Sequence, residues 1–333
     1  MSCSTEGGRA PDRSGRGRDM SMRRRIGGHV RLLRLPLAAT TAADVWAGYV
    51  ITHAPRGPLG DAAPPLSIGE LLALHAVALC MYGAGMTLND AFDAPRDETL
   101  HPDRPIPAGV VSTIAAYTQG ALLLVLGLAI AAAIGPASFR VAALMAGAIV
   151  LYDAGLKRWA IPSALAMGAV RYLDVQLGAG FAAGPAFSPA VALGLYVAGV
   201  TWFSTLEERP EQGRRITIGI GYVVLVLMAE GLRLPHYLMA SWLYALAAAL
   251  IAFAGMRAVH RASTASVRAL VLVGLLGIFL VDAGSLLGWG HWPWAMATLL
   301  LSATFPPLVH LQSRLVAPAG QRASGGTETE VSS

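Results

Sequence analysis

An acidic cluster follows an apolar run in the first third of the sequence and has the pattern Asn89-Asp90-x-x-Asp93-x-x-x-Asp97. Because Asn89, Asp93 and Asp97 are four residues apart, a helix that continued through them would place all three on one face. Neighbouring carboxylates on a helix face repel by about 0.2–0.5 kcal/mol per pair, and a bound cation removes that cost. Since Mg²⁺ prefers oxygen ligands and usually binds one or two carboxylates together with substrate phosphates, the cluster predicts a site for Mg²⁺ and a diphosphate.

The cluster also has a simpler interpretation, in which its acids and Pro95 end a membrane helix at the lipid headgroups. Pro95 is expected to disturb the last helical turn. This interpretation does not account for the run that follows directly, Asp103-Arg104-Pro105-Ile106-Pro107-Ala108-Gly109. The ligand-binding interpretation is therefore favoured.

The composition is that of a membrane protein. Of 333 residues, 55% are hydrophobic and 14% charged, whereas a soluble domain has about 25% charged residues. Apolar windows of about 20 residues, the length that crosses a bilayer, recur along the chain. They predict an all-α, polytopic transmembrane bundle of about nine or ten helices at 33–53, 67–88, 112–134, 138–156, 161–183, 188–206, 214–233, 235–257, 266–288 and 292–312.

The basic residues are distributed unevenly between the two sides of this bundle. With the N-terminus inside, the odd-numbered connections hold only Arg56, Arg140 and Arg233, and the other basic loop residues fall on the inner side. Cytoplasmic loops carry such an excess of Lys and Arg. We therefore expect a multi-pass protein of a bacterial cell membrane with both termini cytoplasmic. The net charge of +5 then reflects orientation in the lipid bilayer, and no nucleic-acid partner is expected.

The chain divides into three predicted regions. Residues 1–31 are rich in Arg, Gly and Ser and are expected to form a disordered basic tail, residues 32–313 the transmembrane domain, and residues 314–333 a second disordered tail. Cys3 and Cys80 lie far apart and predict no disulfide framework. Three inner loops, 89–111, 152–161 and 207–215, follow the second, fourth and sixth helices and are expected to converge above one central cavity.

The run from Asn89 to Gly109 resembles the first signature of the UbiA superfamily of intramembrane prenyltransferases. The resemblance implies an all-helical fold around a cavity open to lipid, which binds an isoprenyl diphosphate and transfers its prenyl group to a lipophilic acceptor. It implies that Asn89, Asp93 and Asp97 bind the diphosphate through Mg²⁺, with Asp90 supporting them. Arg104 would contact phosphate or anchor the loop.

The second loop resembles the Tyr-to-Lys-Arg segment of the same superfamily through Tyr152, Lys157 and Arg158. A Lys and an Arg here would stabilise the charge of the departing diphosphate. Lys157 joins Asp93 and Asp97 as an expected catalytic residue. The alternative is that Lys157 and Arg158 are ordinary positive charges of an inner loop.

Charged residues also occur inside the predicted spans. Arg171 and Asp174 have the i,i+3 spacing of a salt bridge, and Asp44 lies in the first helix. Such residues face a cavity or pair internally because charges are costly in lipid. We predict that all three line the substrate cavity, with structural pairing an equal and compatible alternative. His75 and Asp282 are interpreted as local hydrogen-bonding features.

The third loop departs from the superfamily pattern, which usually has a second Asp-rich motif here. Glu207 and Glu211 keep the i,i+4 spacing of two carboxylates and are predicted as ligands of a second Mg²⁺. Pro210 lies between them and weakens a helix. A solvated loop of mixed charge is an equally favoured interpretation.

The branch and the activity are the last sequence-based predictions. Segments 43–49, 171–178 and 196–203 look most like the EboC-like branch of the superfamily. The leading hypothesis is Mg²⁺-dependent prenyl transfer. The alternative is a non-catalytic binder or carrier of isoprenoid or lipid phosphate, acting in metabolite export or assembly, which the altered third loop would suit. A secondary transporter is less favoured because the two halves of the chain show no repeat.

Overall fold

The structure, a computed structural model, describes residues 13–54, 66–181, 186–233, 238–308 and 310. The described residues form α-helices joined by short connections, with no β-strand among them. The helices are α1 (Arg13–Leu32), α2 (Leu35–His53), α3 (Ile68–Leu100), α4 (Thr113–Ile134), α5 (Pro136–Ala154), α6 (Ala160–Ala179), α7 (Phe187–Ser204), α8 (Gly213–Arg233), α9 (Leu238–Arg261), α10 (Thr264–Gly288) and α11 (Trp292–Ser302).

The predicted all-helical membrane bundle is confirmed. Each of the ten apolar windows overlaps one of the helices α2 to α11. Among the described helices, seven are long and apolar enough to cross a membrane, namely α3, α4, α5, α7, α8, α9 and α10. Helices α2 and α6 have similar lengths but carry polar and charged residues. Helix α11 ends at Ser302, about ten residues before the predicted end of its window.

The N-terminal region differs from its predicted disorder. Helix α1 occupies Arg13–Leu32, whereas residues 1–12 and the predicted tail at 314–333 lie outside the described residues. The end of α1 is held by packing that composition does not reveal. Leu32 is fully buried, and His29 Nδ1 lies 2.5 Å from Gln119 Oε1 on α4. Arginine is also a good helix former, so a basic stretch is compatible with a helix.

Helices α2 and α6 form the central pair of the bundle. A Cβ atom added to Gly48 would lie 2.0 Å from the backbone oxygen of Val175, and one added to Gly178 would lie 2.1 Å from that of Val45. The two backbones therefore approach closely because glycine occupies both contact positions. One cluster of buried apolar side chains joins this pair to α7–α11, and another joins it to α3, α4 and α5.

Helix α3 continues past its apolar part and through the acidic cluster. It is 33 residues long, and Ser67 caps its start by accepting a hydrogen bond from the backbone N–H of Glu70. The expected disturbance at Pro95 does not end the helix, which continues to Leu100. Asn89 and Asp93 consequently lie one turn apart on a continuous helix.

Candidate functional site

A cavity of about 170 Å³ lies among α2, α3, α5 and α6. One end is polar and includes Asn89, Tyr152 and Asp153, with Arg34 beside them. The middle is apolar and rich in methionine, and a second polar end contains Arg171 and Asp174. The apolar lining comprises Met81, Met86, Met145, Met167, Ile149 and Val170, with Gly85, while Thr41 and Tyr82 complete the wall.

Lys157 connects the first and second loops beside the polar end of the cavity that contains Asn89. It lies in a short 3₁₀ helix, Leu156–Arg158, that follows α5. Its Nζ atom lies 2.8 Å from Asp93 Oδ1 and donates a hydrogen bond of 3.2 Å to Asn89 Oδ1. The structure thus brings together Asn89, Asp93 and Lys157, as the converging loops predicted.

Asp153 belongs to the same group and was not among the predicted site residues. Its Oδ1 atom lies 3.5 Å from Lys157 Nζ, and its Oδ2 atom is buried without a hydrogen-bond partner among the described residues. The available signal was its i,i+4 spacing to Lys157, which is typical of an ion pair on a helix. A buried, incompletely paired carboxylate therefore faces the cavity beside the lysine.

Asp97 does not share this environment. Its side chain is buried and accepts a hydrogen bond of 2.5 Å from Arg104 Nη1, so it faces the Arg-Pro-Ile-Pro loop. The same Arg104 atom lies 3.6 Å from Asp90 Oδ1. Arg104 therefore anchors the loop to α3, which is one of the two roles implied for it. Asp90 supports this arrangement from a buried position.

Arg34 is a further cation of the site that sequence reasoning missed. Its Nη2 atom lies 2.7 Å from Asp90 Oδ1, and its side chain lines the cavity. Its backbone has φ 46° and ψ 47°, in the left-handed region, at the junction of α1 and α2. Its carbonyl oxygen accepts a hydrogen bond of 3.0 Å from Tyr82. Backbone strain of this kind costs about 1–3 kcal/mol and often accompanies functional sites.

Tyr152 and Arg158, the other predicted residues of the second loop, have different positions. Tyr152 lines the cavity. Arg158 is exposed and is not among the lining residues. The 3₁₀ turn directs Lys157 towards α3 and leaves Arg158 on the surface. Lys157, rather than Arg158, is the cation of this loop that contacts a lining residue of the cavity, Asn89.

The deep polar end contains the predicted intramembrane charges. Arg171 Nη1 lies 2.6 Å from Asp44 Oδ2 and 3.5 Å from Asp174 Oδ2. The guanidinium also donates hydrogen bonds of 2.8 Å to the hydroxyls of Thr40 and Thr41. Both predicted roles are present, because Arg171 and Asp174 are paired and also line the cavity. Asp44 pairs with Arg171 but, contrary to the prediction, does not itself line the cavity.

The third loop approaches the first loop through a different glutamate from the two predicted. Glu208 forms an ion pair with Arg96 of α3. Glu207 Oε2 lies 3.2 Å from Arg268 Nε on α10, and Glu211 is exposed. Neither Glu207 nor Glu211 lines the cavity. Basic partners from α3 and α10 hold this loop as a surface of mixed charge, in agreement with the simpler interpretation.

The predicted metal ligands are not assembled as one group. Within the part of the chain that the structure describes, no three His, Cys, Asp or Glu side chains are placed to hold a metal ion. Asp93 and Asp97 have separate cationic partners, and the two glutamates lie elsewhere. Asn89, Asp93 and Asp153 nevertheless offer oxygen donors around one end of the cavity. These residues fit Mg²⁺, which usually takes one or two carboxylates and completes its shell with water and phosphate.

The sequence from 58 to 268 matches the UbiA prenyltransferase family. This match covers more than half of the 333 residues. The chain belongs to the UbiA prenyltransferase family. The matched region includes the first loop, Lys157 and the third loop, and it ends at Arg268, the partner of Glu207.

Two archaeal relatives of this UbiA chain are named digeranylgeranylglyceryl phosphate synthase. The protein of Methanoregula boonei is 44% identical over 87 residues, which cover 26% of this chain and 31% of the relative. That of Methanoculleus marisnigri is 31% identical over 185 residues, which cover 55% of this chain and 60% of the relative. The chain therefore matches less than two thirds of the length of either relative.

A solved digeranylgeranylglyceryl phosphate synthase structure has the same fold. It superposes with a TM-score of 0.57 at 19% sequence identity, covering 80% of this chain and 98% of the other. The similarity at this level of identity concerns the helical architecture. It supports the arrangement of helices that places the first two loops at one end of the cavity.

Proposed function

We propose that this protein is an intramembrane prenyltransferase that transfers a prenyl group from an isoprenyl diphosphate to a lipophilic acceptor. The observation that carries the proposal is the contact of Lys157 with Asp93 and with Asn89. Asn89 lines the polar end of a cavity whose middle is rich in methionine. Such a site offers positive charge and oxygen ligands for Mg²⁺ to the diphosphate group of the substrate, and an apolar wall to its prenyl chain.

The diphosphate is proposed to bind at the polar end of the cavity that contains Asn89, Tyr152 and Asp153. Lys157 and Arg34 supply positive charge there, and Arg34 can contact phosphate by bidentate hydrogen bonds. Asn89 and Asp93 are proposed to hold Mg²⁺, with Asp153 the nearest additional carboxylate. Once bound, Mg²⁺ would neutralise charge that develops on the leaving diphosphate. Asp97 is proposed to act through Arg104, by holding the loop in place.

The reaction proposed is ionisation of the allylic C–O bond followed by attack of the acceptor. Lys157 stabilises the negative charge that grows on the departing diphosphate, as preorganised cations do at other leaving groups. The methionine and aliphatic side chains of the cavity exclude water from the electron-poor carbon. A volume of about 170 Å³ is below the roughly 300–1,000 Å³ of common ligand pockets. A long prenyl chain is therefore proposed to extend from the cavity into lipid.

Finer assignments belong to the same proposal. The relatives named digeranylgeranylglyceryl phosphate synthase support a geranylgeranyl donor and a prenylated glyceryl phosphate acceptor. Segments 43–49, 171–178 and 196–203 support the EboC-like branch, and the basic inner loops support a cytoplasmic diphosphate end. The proposed location is a bacterial cell membrane. Residues 32–313 would form the whole catalytic domain. The non-catalytic alternative is not favoured, because these relatives carry the names of synthases.

The direct test is product formation by the full-length protein purified in detergent. Radiolabelled geranylgeranyl diphosphate, Mg²⁺ and a membrane lipid extract should give a labelled lipid product that EDTA abolishes. Diphosphate binding without any product, at every prenyl chain length tried, would support the carrier alternative. Absence of both binding and product would contradict the family activity for this chain.

A further inference from the structure

The deep end of the cavity contains a second charged cluster, which the proposed diphosphate chemistry does not use. Asp44 on α2, Arg171 and Asp174 on α6 and Asp282 on α10 form this cluster, and each is at most 7% exposed. Three helices therefore bring four ionisable side chains together inside the bundle. Such residues are costly within a membrane and are functional candidates for that reason.

The cluster contains more carboxyl groups than its one guanidinium can neutralise. Arg171 pairs with Asp44 and Asp174, so its single positive charge already has two carboxyl partners. Asp282 is buried close to Asp44 and adds a third carboxyl group to the cluster.

The cluster also presents an open acceptor atom to the cavity. Asp44 Oδ1, Asp174 Oδ1 and Asp282 Oδ2 are buried and lack hydrogen-bond partners among the described residues. Of these three side chains, Asp174 alone lines the cavity. A buried acceptor without a partner costs about 1–3 kcal/mol. A hydrogen-bond donor bound in the cavity would remove that cost.

Tyr82 lines the cavity and donates a hydrogen bond of 3.0 Å to the Arg34 carbonyl oxygen. Arg34 and Asp174 line the same cavity. A prenyl diphosphate bound near Arg34 and a polar group bound beside Asp174 would therefore share one chamber.

We propose that Asp174 binds the free hydroxyl group of the glyceryl phosphate acceptor assigned above and takes its proton during prenyl transfer. This inference rests on the proposed function. The allylic C–O bond breaks and its electron pair leaves with the diphosphate. A lone pair of the hydroxyl oxygen forms the new C–O bond, and the hydroxyl proton passes to Asp174 Oδ1.

The test compares Asp174→Asn with Glu230→Gln in the full-length protein. Both substitutions remove a buried carboxylate from a membrane helix, but Glu230 binds Ser188 and does not line the cavity. The donor is geranylgeranyl diphosphate with Mg²⁺, and the acceptor is geranylgeranylglyceryl phosphate, whose free hydroxyl is the only alcohol group. Initial rates give kcat and the KM of each substrate, and mass spectrometry identifies the product bond.

We expect Asp174→Asn to lower kcat by about 100-fold or more, the scale of general-base catalysis, with the KM of the prenyl diphosphate within about twofold of wild type. Glu230→Gln should retain the wild-type kcat, and Asp174→Glu should recover part of the lost rate. Unchanged turnover in Asp174→Asn would overturn the inference. So would parallel loss of diphosphate binding and thermal stability, which would mark a structural role. A product joined through carbon would also overturn it.

The same experiment separates this inference from the proposed function. A wild-type protein that forms no product with any acceptor contradicts prenyl transfer itself, and the assignment of Asp174 falls with it. A wild-type protein that forms the ether while Asp174→Asn forms it equally fast contradicts the role of Asp174 alone.

Discussion

Lys157 Nζ lies 2.8 Å from Asp93 Oδ1, although the two residues are separated by two transmembrane helices in the chain. This ion pair joins the first and second loops at the mouth of the cavity. It predicts that Lys157→Met, which keeps the length of the side chain and removes its charge, lowers kcat for diphosphate release by about 10²–10³-fold. Arg158→Met is the matched control, because Arg158 is exposed and outside the cavity. Equal losses in both variants would indicate a general effect of loop charge.

Arg34 is expected to contribute to diphosphate affinity. Arg34→Gln should raise the KM of geranylgeranyl diphosphate by about tenfold, because a hydrogen bond to a charged group is worth about 1.5–3 kcal/mol. Arg34→Lys should recover part of the affinity. The measurement is the dependence of initial rate on donor concentration. A KM within twofold of wild type in Arg34→Gln would restrict Arg34 to holding Asp90.

Asp97 is expected to stabilise the first loop rather than to bind substrate directly. Asp97→Asn removes the charge that pairs with Arg104 and should lower the free energy of unfolding by about 1.5–3 kcal/mol. Thermal unfolding in detergent measures this loss. The double variant with Arg104→Gln should lose less stability than the sum of the two single variants, since both changes disrupt the contact between Asp97 and Arg104. Additive losses would show that the two residues act independently.

The second predicted metal site is open to a simple test. Glu211 is exposed and does not line the cavity. Glu211→Gln should therefore leave the Mg²⁺ concentration for half-maximal activity within about twofold of wild type. This is well under the tenfold change that would follow from a loss of about 1.4 kcal/mol of binding free energy. Asp93→Asn should raise it. A comparable rise in Glu211→Gln would require the third loop to close over the cavity when substrate binds.

The close contact of α2 and α6 predicts a stability difference between two glycines. Gly178→Ala places a Cβ atom 2.1 Å from the Val45 backbone oxygen, whereas a Cβ atom at Gly147 on α5 meets no atom within 4 Å. We expect Gly178→Ala to lower the free energy of unfolding by about 1–3 kcal/mol or more, the cost typical of overpacking. Gly147→Ala should be neutral or slightly stabilising. Equal melting temperatures for the two variants would contradict the described contact.

Much of the fold was predictable, because the length and polarity of membrane helices are local properties of the sequence. The apolar windows located α2 to α11, and the spacing of Asn89 and Asp93 placed them on one helix face. The convergence of the first two loops was also predictable, since they follow the second and fourth predicted spans and so lie on the same side of the membrane. Lys157 beside Asp93 is the result.

The remaining features depend on contacts between distant segments. The spacing of Asp97 suggested that it joins Asp93, yet Arg104 in the following loop competes for it and determines its direction. Arg34 lies at the very start of the first predicted span, 33–53, and gave no local signal of a role in the site. The loop containing Glu207 kept the spacing of a metal motif, but its partner Arg268 lies 61 residues away. Helix α1 depends in the same way on its contact with α4.

The central claim is that the polar end of the cavity at Asn89, together with the adjacent Asp93 and Lys157, binds and activates a prenyl diphosphate. Release of diphosphate from geranylgeranyl diphosphate, followed as a function of Mg²⁺ in wild type, Asp93→Asn and the exposed control Glu98→Gln, tests it most directly. We predict Mg²⁺-dependent release in wild type and Glu98→Gln, and a loss of about 100-fold or more in Asp93→Asn. Wild-type release by Asp93→Asn at every Mg²⁺ concentration would contradict the assignment.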